Sequence, residues 1–93
     1  MKIKENLSMN LRYYRKKYNL SQEKFAAIIG TSLSHLNNIE AKKTDIKVST
    51  ITKYASKLNE YDKNLKISDD DLVTYHDDRK TNYTRIDEKK QSN

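Results

Sequence analysis

The sequence predicts a small all-α domain of four to five helices, and three observations lead to that prediction. Between residues 7 and 59, apolar residues recur at spacings of three and four, the pattern of helices that bury one face. The single glycine, Gly30, stands between two such segments, where a helix can end on a residue with positive φ. The 93 residues are 34% apolar, which is enough for one domain with a modest core.

Helix one is predicted from about residue 7 to residue 18. Asn19 follows it, and asparagine is, after glycine, the residue that best tolerates the left-handed conformation that ends a helix. Ser21 is a suitable N-cap for helix two, whose first turn carries Glu23 near the positive end of the helix dipole. The buried residues expected in these two helices are Leu7, Leu11, Tyr14, Tyr18, Phe25, Ala26 and Ile29.

Gly30 and the residues after it predict the corner of a helix-turn-helix. Glycine lets helix two end sharply, and Ser32 is a hydroxyl residue suited to cap helix three. A tight corner crosses the two helices and holds the second one out, which is how a short helix enters the major groove of DNA. Leu36 and Ile39 are expected to point into the core. The side chains expected to point outward are Ser34, Asn37 and Asn38.

The chain after helix three is harder to interpret. A polar and basic loop over residues 41–47 leads into helix four, which is predicted from Val48 to near Asn59. Residues 64–67 alternate like a short β-strand, whereas residues 68–75 carry an N-cap and an acidic first turn, like a fifth helix. The sequence leaves both interpretations open.

These assignments divide the chain into three regions. Residues 6–60 form the helix-turn-helix domain. Residues 61–76 form an extension to which we assign a dimerisation role, because it holds the clustered apolar residues that lie outside the four helices. Residues 77–93 are nearly all polar and are predicted to be a disordered tail. The clustered apolar residues of the extension are Leu65, Ile67, Leu72 and Val73.

Basic charge is concentrated in the first of these regions. Residues 1–60 hold twelve lysines and arginines against five acidic residues, a net charge of +7, whereas residues 61–93 carry a net charge of −1. This distribution is expected if the helix-turn-helix region faces phosphate. A composition that is simply rich in lysine would look similar, so charge alone does not separate the two.

Composition and motifs exclude several classes of function. The chain has no cysteine, and His35 and His76 are too few and too far apart for a metal site, so no metal and no cofactor are predicted. No nucleophile has a base beside it and no phosphate-binding loop is present, so the chain is not expected to be an enzyme. No apolar run approaches the roughly 18 residues that span a bilayer, and no secretory stretch opens the chain. We therefore expect a cytoplasmic protein without a membrane partner.

One combination of residues recurs at fixed spacing through the predicted helices. It comprises Leu-Arg-Tyr-Tyr-Arg at 11–15, Leu-Ser-Gln at 20–22, Phe-Ala at 25–26, Gly30, Ile-Glu at 39–40 and Ser-Thr-Ile at 49–51. In this combination the chain resembles the lambda-repressor/Cro-like helix-turn-helix family, the XRE-type transcriptional regulators of bacteria and phages. The resemblance covers roughly residues 6–60 without a gap.

The resemblance implies roles for individual residues. Gln22 matches the glutamine that grips a phosphate and braces the recognition helix, and helix 32–40 matches that recognition helix itself. Arg15 and Glu40 match a structural ion pair that ties helix one to helix three. The implied DNA base contacts are Ser32, Leu33, Ser34 and Asn38. The implied DNA phosphate contacts are Gln22, Asn37, Lys42 and Lys43.

Three positions depart from the family pattern. The family often has glycine two residues after the final glutamate and proline before helix four, whereas this chain has Lys42 and Ile46. The conformation of the loop is therefore open. Leu33 replaces the polar or arginine side chain often found at its position, which favours contact with thymine methyl groups over hydrogen-bonded readout.

The sequence therefore predicts a sequence-specific transcriptional regulator, and foremost a homodimeric repressor that binds an inverted-repeat operator in double-stranded DNA. Dimerisation is expected because one recognition helix reads only a few base pairs. Two alternatives stay open. One is an antitoxin that binds a toxin protein and represses its own operon, since helix four followed by residues 65–67 looks like the helix-then-strand ending of such proteins. The other is the controller protein of a restriction–modification system, which is similarly small and often lacks that proline.

Overall fold

The computed structural model describes residues 2–79, and every regular element in that range is a helix. The five helices are α1 (Ile3–Lys17), α2 (Gln22–Ile29), α3 (Leu33–Glu40), α4 (Val48–Tyr61) and α5 (Asp69–Val73). Residues 77–79 are also helical at the end of the described range. The predicted all-α class and the central helix-turn-helix are thus confirmed. Most of the predicted tail, residues 80–93, lies outside the described residues.

A single core joins the five helices. α1 packs against α3 and α5, α2 packs against α3 and α4, and α4 also contacts α5. Each large apolar side chain buried there stabilises the fold by about 1.5–3 kcal/mol relative to exposure. The buried apolar residues are Leu7, Leu11, Tyr14, Phe25, Ala26, Ile29, Leu36, Ile39, Ile51, Tyr54, Ala55, Leu58 and Leu72.

Two helices are longer than the sequence predicted. α1 begins at Ile3 instead of near residue 7, and α4 ends at Tyr61 instead of near Asn59. Ile3 lies four residues before Leu7 at helical spacing, but it is 40% exposed and adds little to the buried stripe of α1. Its Lys2 N-cap makes no side-chain hydrogen bond that would mark the start. A tertiary contact anchors the early residues of α1, because Asn6 Nδ2 donates to the carbonyl oxygen of Val73 at 2.9 Å.

The first three helices end in the same backbone turn. In each turn one residue adopts a left-handed conformation: Asn19 with φ 55°, Gly30 with φ 81° and Lys42 with φ 64°. The backbone N–H of that residue and the next one donate back to carbonyls of the last helical turn, which is the Schellman arrangement. The predicted roles of Asn19 and Gly30 are confirmed, whereas that of Lys42 was not foreseen.

The β-strand considered for residues 64–67 is not present, and that interpretation is wrong. The side chain of Asn59 forms hydrogen bonds with both backbone groups of Ile67. Asn59 Nδ2 donates to the carbonyl oxygen at 2.9 Å, and Oδ1 accepts from the N–H at 2.9 Å. Lys66 has a left-handed φ of 40°, which an extended strand does not contain. The alternative interpretation, a fifth helix over residues 68–75, is confirmed by α5.

Residues 69–79, which we call the C-terminal clasp, lie across α1. The amide of Asn10 donates to the carbonyl oxygens of Leu72 at 2.8 Å and Thr74 at 2.9 Å. Asn10 is fully buried, yet both of its amide protons are bonded, so its burial carries no penalty for an unpaired donor. The clasp is therefore held to α1 through its main chain.

Arg79 completes the clasp. Its guanidinium stacks 4.4 Å from the ring centroid of Tyr13 and donates to Asp71 at 3.1 Å and to Asn10 Oδ1 at 2.9 Å. The hydroxyl of Tyr14 also donates to Asp71, at 2.6 Å. Partial burial by itself would raise the pKa of Asp71, but the hydrogen bonds from Arg79 and Tyr14 outweigh burial and lower that pKa. Arg79 is thus docked against α1 and α5, and the start of the tail at residue 77 remains a prediction.

The apolar residues assigned to dimerisation cover the core of their own chain. Leu72 is fully buried, and Leu65, Ile67 and Val73 are partly buried against the core. Leu72 cannot meet a partner unless α5 leaves α1. The dimerisation role of residues 61–76 remains a prediction.

Candidate nucleic-acid interface

The corner between α2 and α3 is built from local sequence. The hydroxyl of Ser21 caps α2 by accepting from the N–H of Lys24, and the hydroxyl of Ser32 caps α3 by accepting from the N–H of His35 at 3.0 Å. Between the caps, Gly30 closes α2, and its carbonyl oxygen accepts from Lys53 Nζ at 2.6 Å. The ammonium of Lys53 thus lies at the negative end of the α2 dipole, where a cation is favourable.

The corner presents α3 with one face in the core and the other in solvent. Leu36 and Ile39 are buried and fix the inner face. Leu33 begins the helix with 42% of its surface exposed, so part of this apolar side chain is available to touch another surface. The polar side chains of the outer face are Ser34, Asn37 and Asn38, all exposed as predicted.

The C-terminal end of α3 is held by a polar cluster at Glu40. Arg15 forms a two-pronged pair with this carboxylate, from Nε at 2.9 Å and Nη2 at 3.1 Å. The two side chains are only 11% and 8% exposed, so solvent screens the pair weakly. Gln22 Nε2 also donates to Glu40, at 3.0 Å, and Ser8 Oγ donates to the backbone carbonyl of Glu40 at 2.7 Å. Residues of α1 and α2 therefore fix the end of α3.

The loop over residues 41–47 follows the braced end of α3 directly. Lys42, Lys43 and Lys47 are exposed there. Asp45 is the acidic residue of this loop, and its carboxylate lies 3.4 Å from Lys4 Nζ on the first turn of α1. The ion pair brings the ammonium group of Lys4 to this loop.

The structure places the residues predicted for DNA binding along α3 and beside its two ends. Ser32, Leu33 and Ser34 lie at the N-terminal end of α3, while Asn37 and Asn38 lie on its exposed face. At the other end Arg15, Gln22 and Glu40 are in contact, and Lys42 and Lys43 follow at once. Their contacts with bases and phosphates remain predictions.

Two features of this region were missed in the sequence. Lys4 and Asp45 are 41 residues apart and no pattern joins them, although the basic start of the chain was a signal that could have been followed. The backbone of Lys42 takes a conformation that glycine accepts without cost, and the family's glycine at that position was the available signal.

A metal-binding cluster and a membrane-spanning helix are both absent from the part of the chain that the structure describes. Among residues 2–79, no three histidine, cysteine or acidic residues gather as they would around a metal ion. None of the helices described there is both long enough and apolar enough to cross a lipid bilayer.

Comparison with known proteins gives two matches. The sequence profile of the family described as Helix-turn-helix matches residues 11–63, more than half of the chain. The control protein C.SmaI of Serratia marcescens is 41% identical over 59 residues, which are 63% of this chain and 70% of that protein. None of the solved structures matches the chain.

Proposed function

The chain belongs to the helix-turn-helix family of DNA-binding regulators, and from that membership we propose that it is a sequence-specific repressor of transcription. One observation carries the proposal: α3 exposes Ser34, Asn37 and Asn38 while Leu36 and Ile39 fix its other face. A short helix held in this way can present polar side chains to base edges in the major groove. We place its action in the cytoplasm.

The hydrogen bonds inside the protein leave the proposed contact groups available to DNA. The amide of Gln22 uses one proton on Glu40, and an amide NH₂ has a second proton to donate to a phosphate. The hydroxyl of Ser32 accepts from His35 and still has its own proton to donate to a base edge. The proposed base contacts are Ser32, Leu33, Ser34 and Asn38, and the proposed phosphate contacts are Gln22, Asn37, Lys42 and Lys43.

We further propose that the regulator binds as a homodimer to an inverted repeat. A single short helix reads too few base pairs for a specific affinity, and a two-fold dimer doubles the readout. Within residues 61–76, Tyr61 and Tyr75 keep 47% and 49% of their surface exposed. Because Leu72 is buried in its own chain, these two tyrosines are the large aromatic side chains that residues 61–76 offer to a second copy of the chain.

The second candidate is the controller protein of a restriction–modification system. It is favoured by the 41% identity to a protein described as a control protein. Both candidates use the same DNA-binding site, so they differ in the genes controlled and not in the contacts of α3. The antitoxin alternative, with its toxin partner, loses its main support because residues 64–67 form no strand.

Selection of bound sequences from a random DNA pool tests the proposal. We expect an inverted repeat whose half-sites are centred about one helical turn, roughly 34 Å, or a multiple of it apart. On the selected site, Ser34→Ala and Asn38→Ala should each weaken binding by about 1–3 kcal/mol and leave affinity for random DNA nearly unchanged.

Ser56→Ala provides the matched control, because Ser56 is an exposed serine on α4 and not on α3. This variant should bind the selected site as the parent does. Selection of no common sequence, or an unchanged ratio of specific to random affinity when Ser34 and Asn38 are both alanine, would contradict the proposal.

A further inference from the structure

The ion pair between Lys4 and Asp45 lies at the loop proposed to contact phosphate. Lys4 Nζ and Asp45 Oδ1 are 3.4 Å apart, and the two side chains are 44% and 89% exposed. Asp45 stands among Lys42, Lys43 and Lys47, where any approaching phosphate is attracted by the ammonium groups and repelled by the carboxylate. A phosphate bound by the loop would therefore compete with Asp45 for the ammonium group of Lys4.

The fold does not depend on this pair. An exposed ion pair contributes about 0–1 kcal/mol to stability, because water and salt screen it. α1 is already fixed to α3 by the nearly buried pair of Arg15 with Glu40 and by the hydrogen bond from Ser8 to the Glu40 carbonyl. Lys4 can leave Asp45 at little cost to the domain.

We propose that Lys4 is an additional phosphate-contacting residue, held beside the loop by Asp45 and transferred to a DNA phosphate when the protein binds. The inference rests on the proposed DNA-binding function and adds a contact from α1 to it. In the free protein Asp45 keeps the lysine near the loop. In the complex the phosphate takes the place of the carboxylate, and the uncompensated charge of Asp45 weakens binding to every DNA sequence.

This exchange has a measurable consequence in the salt dependence of binding. Each phosphate neutralised by a lysine adds about 0.9 to the slope of log K against log salt concentration. Lys4→Gln should lower that slope by up to about 0.9, and by the same relation weaken binding up to about eightfold near 0.1 M salt. Asp45→Asn should strengthen binding, and more so in the parent than in the Lys4→Gln background, where no pair has to open.

The test is fluorescence anisotropy with a labelled random-sequence duplex over a range of salt concentrations. Lys57→Gln is the matched control, because Lys57 is also 44% exposed and forms a surface pair, with Glu60 Oε1 at 3.9 Å. Lys57 lies on α4 beside Gly30, away from residues 41–47 in sequence. Circular dichroism melts of each variant check that the fold is retained, as expected for an exposed residue in the first turn of α1.

We expect Lys4→Gln to reduce the slope while Lys57→Gln leaves it close to that of the parent. If the parent binds DNA and the two variants have the same slope, this inference is overturned and the proposed function is unaffected. If the parent binds no duplex even at about 0.05 M salt, where phosphate contacts are strongest, the proposed function itself fails and the inference fails with it.

Discussion

The two turns at the ends of α3 have the same hydrogen bonds and different residues. Before α3, Gly30 has φ 81°. Its N–H is shared between the carbonyls of Ala27 and Ala26, and the N–H of Thr31 donates to Ala26. After α3, Lys42 has φ 64°, and the N–H groups of Lys42 and Lys43 donate to Ile39 and Asn38. The backbone geometry is thus shared, but the left-handed residue is a glycine before α3 and a lysine after it.

The difference between the turns reflects what surrounds them. A Cβ atom at Gly30 would lie 2.9 Å from Lys53 Cε, so the flexible end of that side chain would have to shift. Lys42 is exposed, and its left-handed conformation costs roughly 1–2 kcal/mol relative to ordinary backbone. The chain keeps a positive charge at the second turn in spite of that cost. A role for the charge in phosphate binding would account for its retention.

The largest effect is expected from Glu40→Ala, which removes the carboxylate that Arg15 and Gln22 contact at the end of α3. Arg15 would remain nearly buried without its partner, and Gln22 would lose its acceptor. Loss of one member of a buried pair costs about 3–5 kcal/mol, a large fraction of the stability of a small domain. Urea denaturation followed by circular dichroism measures the loss.

An exposed glutamate of α2 serves as the control for Glu40. Glu23→Ala should change the free energy of unfolding by no more than about 0.5 kcal/mol, as is usual for surface substitutions. If Glu40→Ala unfolded at the same urea concentration as Glu23→Ala, the side-chain contacts of Glu40 would contribute nothing to stability.

A smaller loss is expected from Gly30→Ala. The left-handed backbone should cost about 1–2 kcal/mol with any Cβ present. The neighbour at 2.9 Å is the flexible end of Lys53, so it can move aside. Measured by urea denaturation, the cost should therefore be the same in the parent and in a Lys53→Ala background. A cost that disappears in the Lys53→Ala background would show that space, and not backbone conformation, requires glycine.

The smallest effect, and the one of opposite sign, is expected from Lys42→Gly. Glycine removes about 1–2 kcal/mol of left-handed strain but adds about 0.5–1 kcal/mol of unfolded-state entropy, so stability should rise by up to about 1.5 kcal/mol. Affinity for random DNA should fall because a phosphate contact is lost. Lys43→Gly removes the same charge without a left-handed backbone, and it should weaken DNA binding without any gain in stability. If the Lys42→Gly variant bound DNA as well as the parent, the proposed phosphate contact of Lys42 would be contradicted.

Local features of this fold were predictable from the sequence. Asn19, Gly30 and the two serine caps act within a few residues of their own position, so residue type alone indicates the turn and the start of the next helix. The apolar stripes predicted the core residues, because helical spacing is also a local property of the sequence. The contact of Arg15 with Glu40 spans 25 residues and was available only through the family resemblance.

The long-range polar contacts outside the family pattern were not predictable. Asn6 and Asn10 interrupt the apolar stripe of α1 and suggest a solvated face, yet Asn10 is fully buried under the C-terminal clasp. Their partners are main-chain carbonyls, which every residue possesses, so no residue type in the clasp marks the contact. Leu72 was assigned to dimerisation because nothing in the local sequence indicated that α5 returns to α1.

The contact between Asn10 and the clasp also sets an order of events during synthesis. The carbonyls that Asn10 binds belong to residues made more than sixty positions later. At about 5–20 residues per second, a ribosome adds them roughly 3–12 s after α1 has been made. During that interval the face of α1 that carries Asn10 has no cover, although the residues of the helix-turn-helix are already complete. The residues of α3 are therefore made before the clasp can close over α1.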